Sequence, residues 1–417
     1  MSPTPTSDLS PASARAGKLA RELSLTHAVL YGLGITIGAG IYVLVGLAAG
    51  RSGMHAPLAF VLAALVMGFS AATFAELGTR LPVAASEAAY VEEAFQRRRL
   101  ALGVGLLSVT TSVVSAATIS SGAAGYIGVF LALPKPLLIA GAILLMGAIA
   151  MRAAVQSVGF AGLMTVVEVA GLAIIIGAGL THPEVITRLP ELTADLGTTS
   201  VWAGIGSTAL LAVFAFIGFE HLVNISEEMK DQRRTLPLAL FITLGATAIL
   251  YGLVVWIAVI AVPPQELAAS QAPLALVFER LTGWPLIVMS AIAVAATLNG
   301  VIVNMIIIAR VLYGLADRGQ LPSFLGRVHP RSRSPVVATA VGVSLILLFA
   351  LAIPLRGLAD LASTGTLLVF AIVSLALIRI KWREERPPDG VFVCPMWVPV
   401  CGVLANLGLL AADLIAS

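Results

Sequence analysis

Charge is what this sequence has least of. Only 11% of its 417 residues are Asp, Glu, Lys or Arg, against 59% hydrophobic. Soluble domains of ordinary composition carry about a quarter charged residues. So few charges cannot cover a water-facing globule of this length, and the mean hydropathy of +0.99 points to lipid as the solvent. Cysteine is almost missing as well: Cys394 and Cys401 are the only two, which excludes a disulfide framework or a Cys-based metal centre. The scattered histidines have no ligand spacing, and there is no nucleophile elbow, H-E-x-x-H or P-loop, so neither an enzyme nor a metal or other cofactor is expected.

What is present is a series of long apolar runs. A helix needs about 20 apolar residues to span the hydrocarbon core. Eleven such runs follow one another, at about 25–50, 56–81, 100–133, 137–153, 159–180, 201–225, 238–262, 284–316, 335–353, 358–380 and 392–415. Pro134 and Pro136, Pro263 and Pro264, and Pro387 and Pro388 punctuate the connections. The first two dozen residues, rich in Ser, Pro and Ala, read as a polar tail without a secretory signal. With the N-terminus inside, 20 of the 25 cations fall on the inner side and 5 on the outer, which is the positive-inside bias of an inner-membrane protein. The basic balance thus reflects topology and gives no reason to invoke nucleic acid. An odd helix count leaves the C-terminus outside.

Two runs are interrupted. The first reads Tyr31-Gly-Leu-Gly-Ile-Thr-Ile-Gly-Ala-Gly-Ile-Tyr42, and the sixth reads Phe214-Ala-Phe-Ile-Gly-Phe-Glu220. Each helical glycine costs about 1 kcal/mol relative to alanine. Non-helical backbone at membrane depth is tolerated only where protein or a water-filled cavity satisfies it. Gly-interrupted segments at corresponding positions of two halves point to an inverted-repeat transporter, although small residues also line ordinary helix interfaces. A broken helix offers free N–H groups suited to a carboxylate and free carbonyls suited to an ammonium, so a zwitterionic amino acid is the expected ligand.

These residues resemble the amino acid–polyamine–organocation superfamily, close to its bacterial cationic-amino-acid-transporter-like branch. Four ordered motifs over about residues 22–335 carry the resemblance. They are Gly38-Ala39-Gly40-Ile41; Ala75-Glu-Leu-Gly-Thr-Arg-Leu-Pro82 with Ser86-Glu-Ala-Ala-Tyr90; Phe214 to Pro237 with Glu227 and Glu228; and Ala309 to Pro322. Gln232 stands where the family usually has proline.

The resemblance implies an all-α leucine-transporter fold. Two inverted five-helix repeats, at about 24–182 and 183–381, would follow a tail over 1–23 and precede one extra helix over 382–417. It also implies a substrate carboxylate against Gly38, Ala39 and Gly40, and an α-amino group against carbonyls of Thr36, Phe214 and Ile217. Ala215 belongs to the same stretch. Phe214 lies where the related arginine/agmatine antiporter covers its substrate with tryptophan. Relatives commonly have twelve helices, so the missing twelfth leaves the oligomeric state open.

Of the acidic residues, Glu168 and Glu220 fall deep in apolar runs, where a carboxylate is by default a functional hypothesis. Glu220 holds a family position associated with pH sensing. Glu168, twelve residues after Gln156, stands where some proton-coupled relatives have a lysine. Both are expected to serve proton coupling, or with Glu168 sodium coupling, of amino acid transport. The alternatives are a sodium-coupled carrier, an amino acid/polyamine exchanger, and a sensor that binds without transporting.

Overall fold

The computed structural model describes residues 23–37, 40–82, 86–152, 158–317, 319–329, 334–384 and 386–416. The described residues are overwhelmingly helical, with one isolated bridge between Leu23 and Met229 in place of any strand. Eight helical stretches are long and apolar enough to cross a membrane, and three shorter apolar helices complete the set. Counting Gly40–Ser52 with Leu25–Ile37 and apart from Ala56–Arg80 gives eleven crossings among the described residues.

We number the crossings in chain order. α1 has two halves, α1a (Leu25–Ile37) and α1b (Gly40–Ser52). α2 (Ala56–Arg80), α3 (Arg98–Ile127), α4 (Lys135–Arg152) and α5 (Val158–Leu180) complete the first set. α6 is again in two pieces, the helix α6a (Thr199–Phe216) and the 3₁₀ half α6b (Phe219–Glu228). α7 (Gln232–Ala261), α8 (Leu286–Asp317), α9 (Val336–Ala352) and α10 (Leu355–Arg383) follow, and α11 (Trp397–Ala416) ends the chain. The ends sit close to the apolar runs read from sequence because proline and charge stop them. Pro57 opens α2, and Arg80 ends it.

Packing reveals the inverted repeat. Helices α1–α5 and α6–α10 meet as matching pairs: α2 lies on α7, α3 on α8 and α4 on α9. Cross contacts repeat the relation, since α1a packs on α5 and α7 much as α6a packs on α10 and α2. Even the short connecting helices correspond. Helix Ser86–Phe95 packs on α3 and α10, and helix Pro273–Thr282 packs on their counterparts α8 and α5. α11 has no partner in this scheme and lies against α2, α6a and α10.

Exposed tryptophans mark the membrane boundaries, as amphipathic rings do at the headgroup level. Trp382 and Trp397 lie at the face that carries most of the cations, Trp202 and Trp284 at the opposite face. Elsewhere the exposed large hydrophobic side chains are mostly Leu, Ile and Val, which suits a lipid-facing surface.

Candidate functional site

The α6 break meets Ile35, Thr36 and Gly40 of α1 at the centre of the molecule. Gly218 at the α6 break has φ +130°, a backbone conformation that only glycine adopts without strain, and an added Cβ would lie 2.8 Å from Ile35 Cγ2 of α1a. Across from it, a Cβ on Gly40 would lie 2.3 Å from Ala215 Cα. Gly40 and Gly218 are therefore each fitted against the other helix. The α6 interruption is narrow, because α6a runs through Phe216 and α6b starts at Phe219. Of the residues expected to receive substrate, Gly38 and Ala39 lie outside the described residues. Thr36, Gly40, Phe214 and Ile217 all line one small central cavity of about 20 Å³. Ala215 adjoins it through its contact with Gly40.

The free carbonyls at the ends of α1a and α6a are already engaged. The Tyr251 hydroxyl of α7 sits 2.8 Å from Thr36 O and 3.1 Å from Ala215 O, so one donor reaches both α1a and α6a. The Tyr251 ring is fully buried against Phe60 and Phe216. Sequence reading did not single out Tyr251, which is an ordinary aromatic in an apolar run until the fold brings it between the breaks. Phe214 O accepts from Ile217 N–H, and the Thr36 hydroxyl donates back to Gly32 O.

The two deep carboxylates differ. Glu220 is capped: Gly218 N–H donates to its Oε2 at 2.8 Å, and Oε1 lies 3.8 Å from His221 Nε2. It satisfies the first free N–H of the α6 break. Glu168 on α5 is 1% exposed, and neither carboxylate oxygen has a hydrogen-bond partner of ordinary geometry, though the Asn299 amide of α8 lies within reach of it. Its own carbonyl accepts from the Tyr42 hydroxyl of α1b at 2.9 Å, and one turn earlier Thr165 donates to Leu30 O of α1a. Glu168 is thus tied through α5 to both halves of the first broken helix.

A third buried carboxylate escaped the sequence reading. Glu76, at the end of α2, is fully buried. It accepts from Arg80 at 2.7 Å, pairs with Lys381 of α10 at 2.8 Å and accepts from Cys394 N–H at 2.8 Å and from the Cys394 thiol at 3.1 Å. Four donors compensate its burial, which marks it as an anchor. The motif Ala75-Glu-Leu flagged the position, but its partners lie some three hundred residues away.

From the central cavity a larger one, about 380 Å³, leads to the basic face. The two share Ser115, Ile217, His221 and Asn304, and the larger ends among Glu87, Arg310 and Tyr313. Ser108 Oγ, Ser115 Oγ and His221 Nδ1 on its wall are buried without a protein partner, which suits a wet passage. The opposite face is shut. Arg51 of α1b binds both oxygens of Asp360 of α10 and the carbonyl of Ser207 of α6a. The Tyr126 hydroxyl donates to Tyr42 O and accepts from Leu274 N–H.

The comparisons with known proteins agree with this architecture. Residues 23–415 match the amino acid permease family. A branched-chain amino acid permease of Bacillus subtilis is 28% identical, over 96% of this chain and 89% of its own length. An uncharacterized transporter of Mycobacterium tuberculosis is 31% identical, over 96% and 91%. The cationic amino acid transporter 4 of Mus musculus is 27% identical, over 89% of this chain and 61% of its own length. The membrane-crossing helical architecture of the described residues and a family match over residues 23–415 lead to one conclusion: this multi-pass membrane protein belongs to the amino acid permeases of the amino acid–polyamine–organocation superfamily.

Proposed function

We propose that the protein is a proton-coupled carrier of the cytoplasmic membrane that moves an α-amino acid by alternating access, with its basic face and N-terminus in the cytoplasm. The substrate carboxylate meets the N–H groups at the start of α1b, at Gly38, Ala39 and Gly40. Its ammonium meets carbonyls of Thr36, Phe214, Ala215 and Ile217, displacing the Tyr251 hydroxyl from those it now holds.

The observation that carries the coupling is Glu168, a buried carboxylate that no cation approaches among the described residues and whose oxygens have no hydrogen bond of ordinary geometry, with the Asn299 amide within reach. An isolated ionised carboxylate is too costly to keep in a low-dielectric interior, so the group must take up a proton or another cation. Because α5 is bonded to both halves of α1, the charge state of Glu168 acts on the same helix that receives substrate. Glu220 has the secondary role of holding the first turn of α6b, and a proton there would weaken its bond from Gly218.

Flux in proteoliposomes tests this reading. An imposed inward proton gradient should drive amino acid accumulation without sodium, and Glu168→Gln should abolish that accumulation while leaving amino acid exchange at equal pH. Strict sodium dependence would instead make Glu168 a sodium ligand. Binding without any flux would leave a sensor.

A further inference from the structure

We infer that the substrate is a neutral amino acid with an aliphatic side chain. The inference rests on the transport reading above and names what that site accepts.

The side-chain end of the central cavity is built from Ile119 of α3, Phe214 and Ile217 of α6, and Val303 of α8. No Asp, Glu, Lys or Arg lines it among the described residues, and Gly38 and Ala39 add none. The fixed charges along the passage, Glu87, Glu220 and Arg310, border the larger cavity instead. Of these, Glu220 has its Oε2 taken by Gly218 N–H. Glu168 lines neither cavity.

A guanidinium or ammonium seated among Ile119, Phe214, Ile217 and Val303 would lose its hydration and gain no counter-ion. Burying an unpaired charge in this way is prohibitive, whereas burying methyl and methylene groups there is favourable. A carboxylate side chain fails for the same reason. The polar side chains Ser115, His221 and Asn304 are on the wall shared with the passage, and the Thr36 hydroxyl donates to Gly32 O, so none of them offers a counter-ion at the apolar end. The present 20 Å³ holds about one water. Entry of a side chain must therefore widen the cavity among these apolar walls. Bulk is limited on the far side by Phe214, which is only 4% exposed.

The test is competition for binding on the purified full-length chain in lipid nanodiscs. The probe is radiolabelled L-leucine, with L-valine, L-isoleucine, L-arginine, L-lysine and L-glutamate as competitors. The aliphatic amino acids should compete at least roughly tenfold better than any charged one, a difference of about 1.4 kcal/mol in binding. Ile119→Asp places a carboxylate in the apolar end and should bring in arginine while weakening leucine. Val303→Asp offers the same change from another helix should the first variant fail to fold. Arginine or lysine binding the unaltered protein as tightly as the best aliphatic overturns this inference and leaves the transport reading intact. Thermal-shift titrations with the same panel on the same sample complete the comparison. If no amino acid binds or shifts unfolding, the transport reading falls, and this inference with it.

Discussion

Gly40 and Gly218 each fill a space that no side chain can share. An alanine Cβ at position 40 would lie 2.3 Å from the Ala215 backbone, and backbone cannot swing aside as a side-chain end can. Gly40→Ala is therefore expected to abolish both binding and flux while the protein still inserts in the membrane. Fluorescence-detection chromatography for assembly, with ligand binding beside it, checks the split. Tyr251→Phe makes a second, milder probe. It removes one oxygen and leaves the Thr36 and Ala215 carbonyls without their donor, a cost of about 1–3 kcal/mol for buried polar groups left unsatisfied. The variant should unfold at lower temperature without ligand and regain part of the difference when saturated with substrate, because the substrate ammonium serves the same carbonyls. A variant that loses stability equally with and without substrate would mean that Tyr251 is structural alone.

At the scale of elements, the Glu76 cluster joins the end of α2 to the end of α10 and to the strap that leads into α11. Arg80 extends it to Glu384. Removing one partner from a buried ionic network costs about 3–5 kcal/mol, because the remaining charges stay buried and unpaired. Glu76→Gln should thus loosen the strap. Cys394 reports on it directly. Burial and the neighbouring Glu76 carboxylate push its thiol up to about 12, so little thiolate exists at neutral pH and maleimide labelling should be slow. In Glu76→Gln labelling should accelerate; unchanged labelling would show that the strap stays seated without the carboxylate. Much of the elements was legible in the sequence, since lipid enforces apolar length and the breaks announce themselves as glycine clusters. The sequence could also rank Glu168 and Glu220 as deep. It could not separate them, because the bond from Gly218 to Glu220 and the looser approach of Asn299 to Glu168 depend on where helices lie. Glu76 was hidden for a related reason: the Lys381 and Cys394 that compensate its charge are local only after folding.

Over the whole molecule, the shut face is held by close backbone contact as well as by charge. A Cβ on Gly125 of α3 would lie 1.9 Å from Gln271 O, and one on Gly46 of α1b 2.6 Å from Leu267 O. Gly125→Ala should hold that face ajar, seen as faster labelling of single cysteines placed beneath it; Arg51→Ala, which frees Asp360, should act in the same direction. The connecting helices carry the matching relation further. Helix Pro273–Thr282 and its neighbour Pro264–Ala269 cover α1b, but their counterpart Ser86–Phe95 lacks the equivalent close packing on α6b. The chain is thus an asymmetric snapshot of a nearly symmetric object. Exchanging the conformations of its two halves would seat Ser86–Phe95 over α6b, plug the wet passage and unlatch the far side. On the proposed alternating-access reading, the half that is now closed outlines the state facing the other way. A cysteine pair at Glu87 and Asn224, which flank the passage on those two elements, should cross-link more readily as that exchange proceeds.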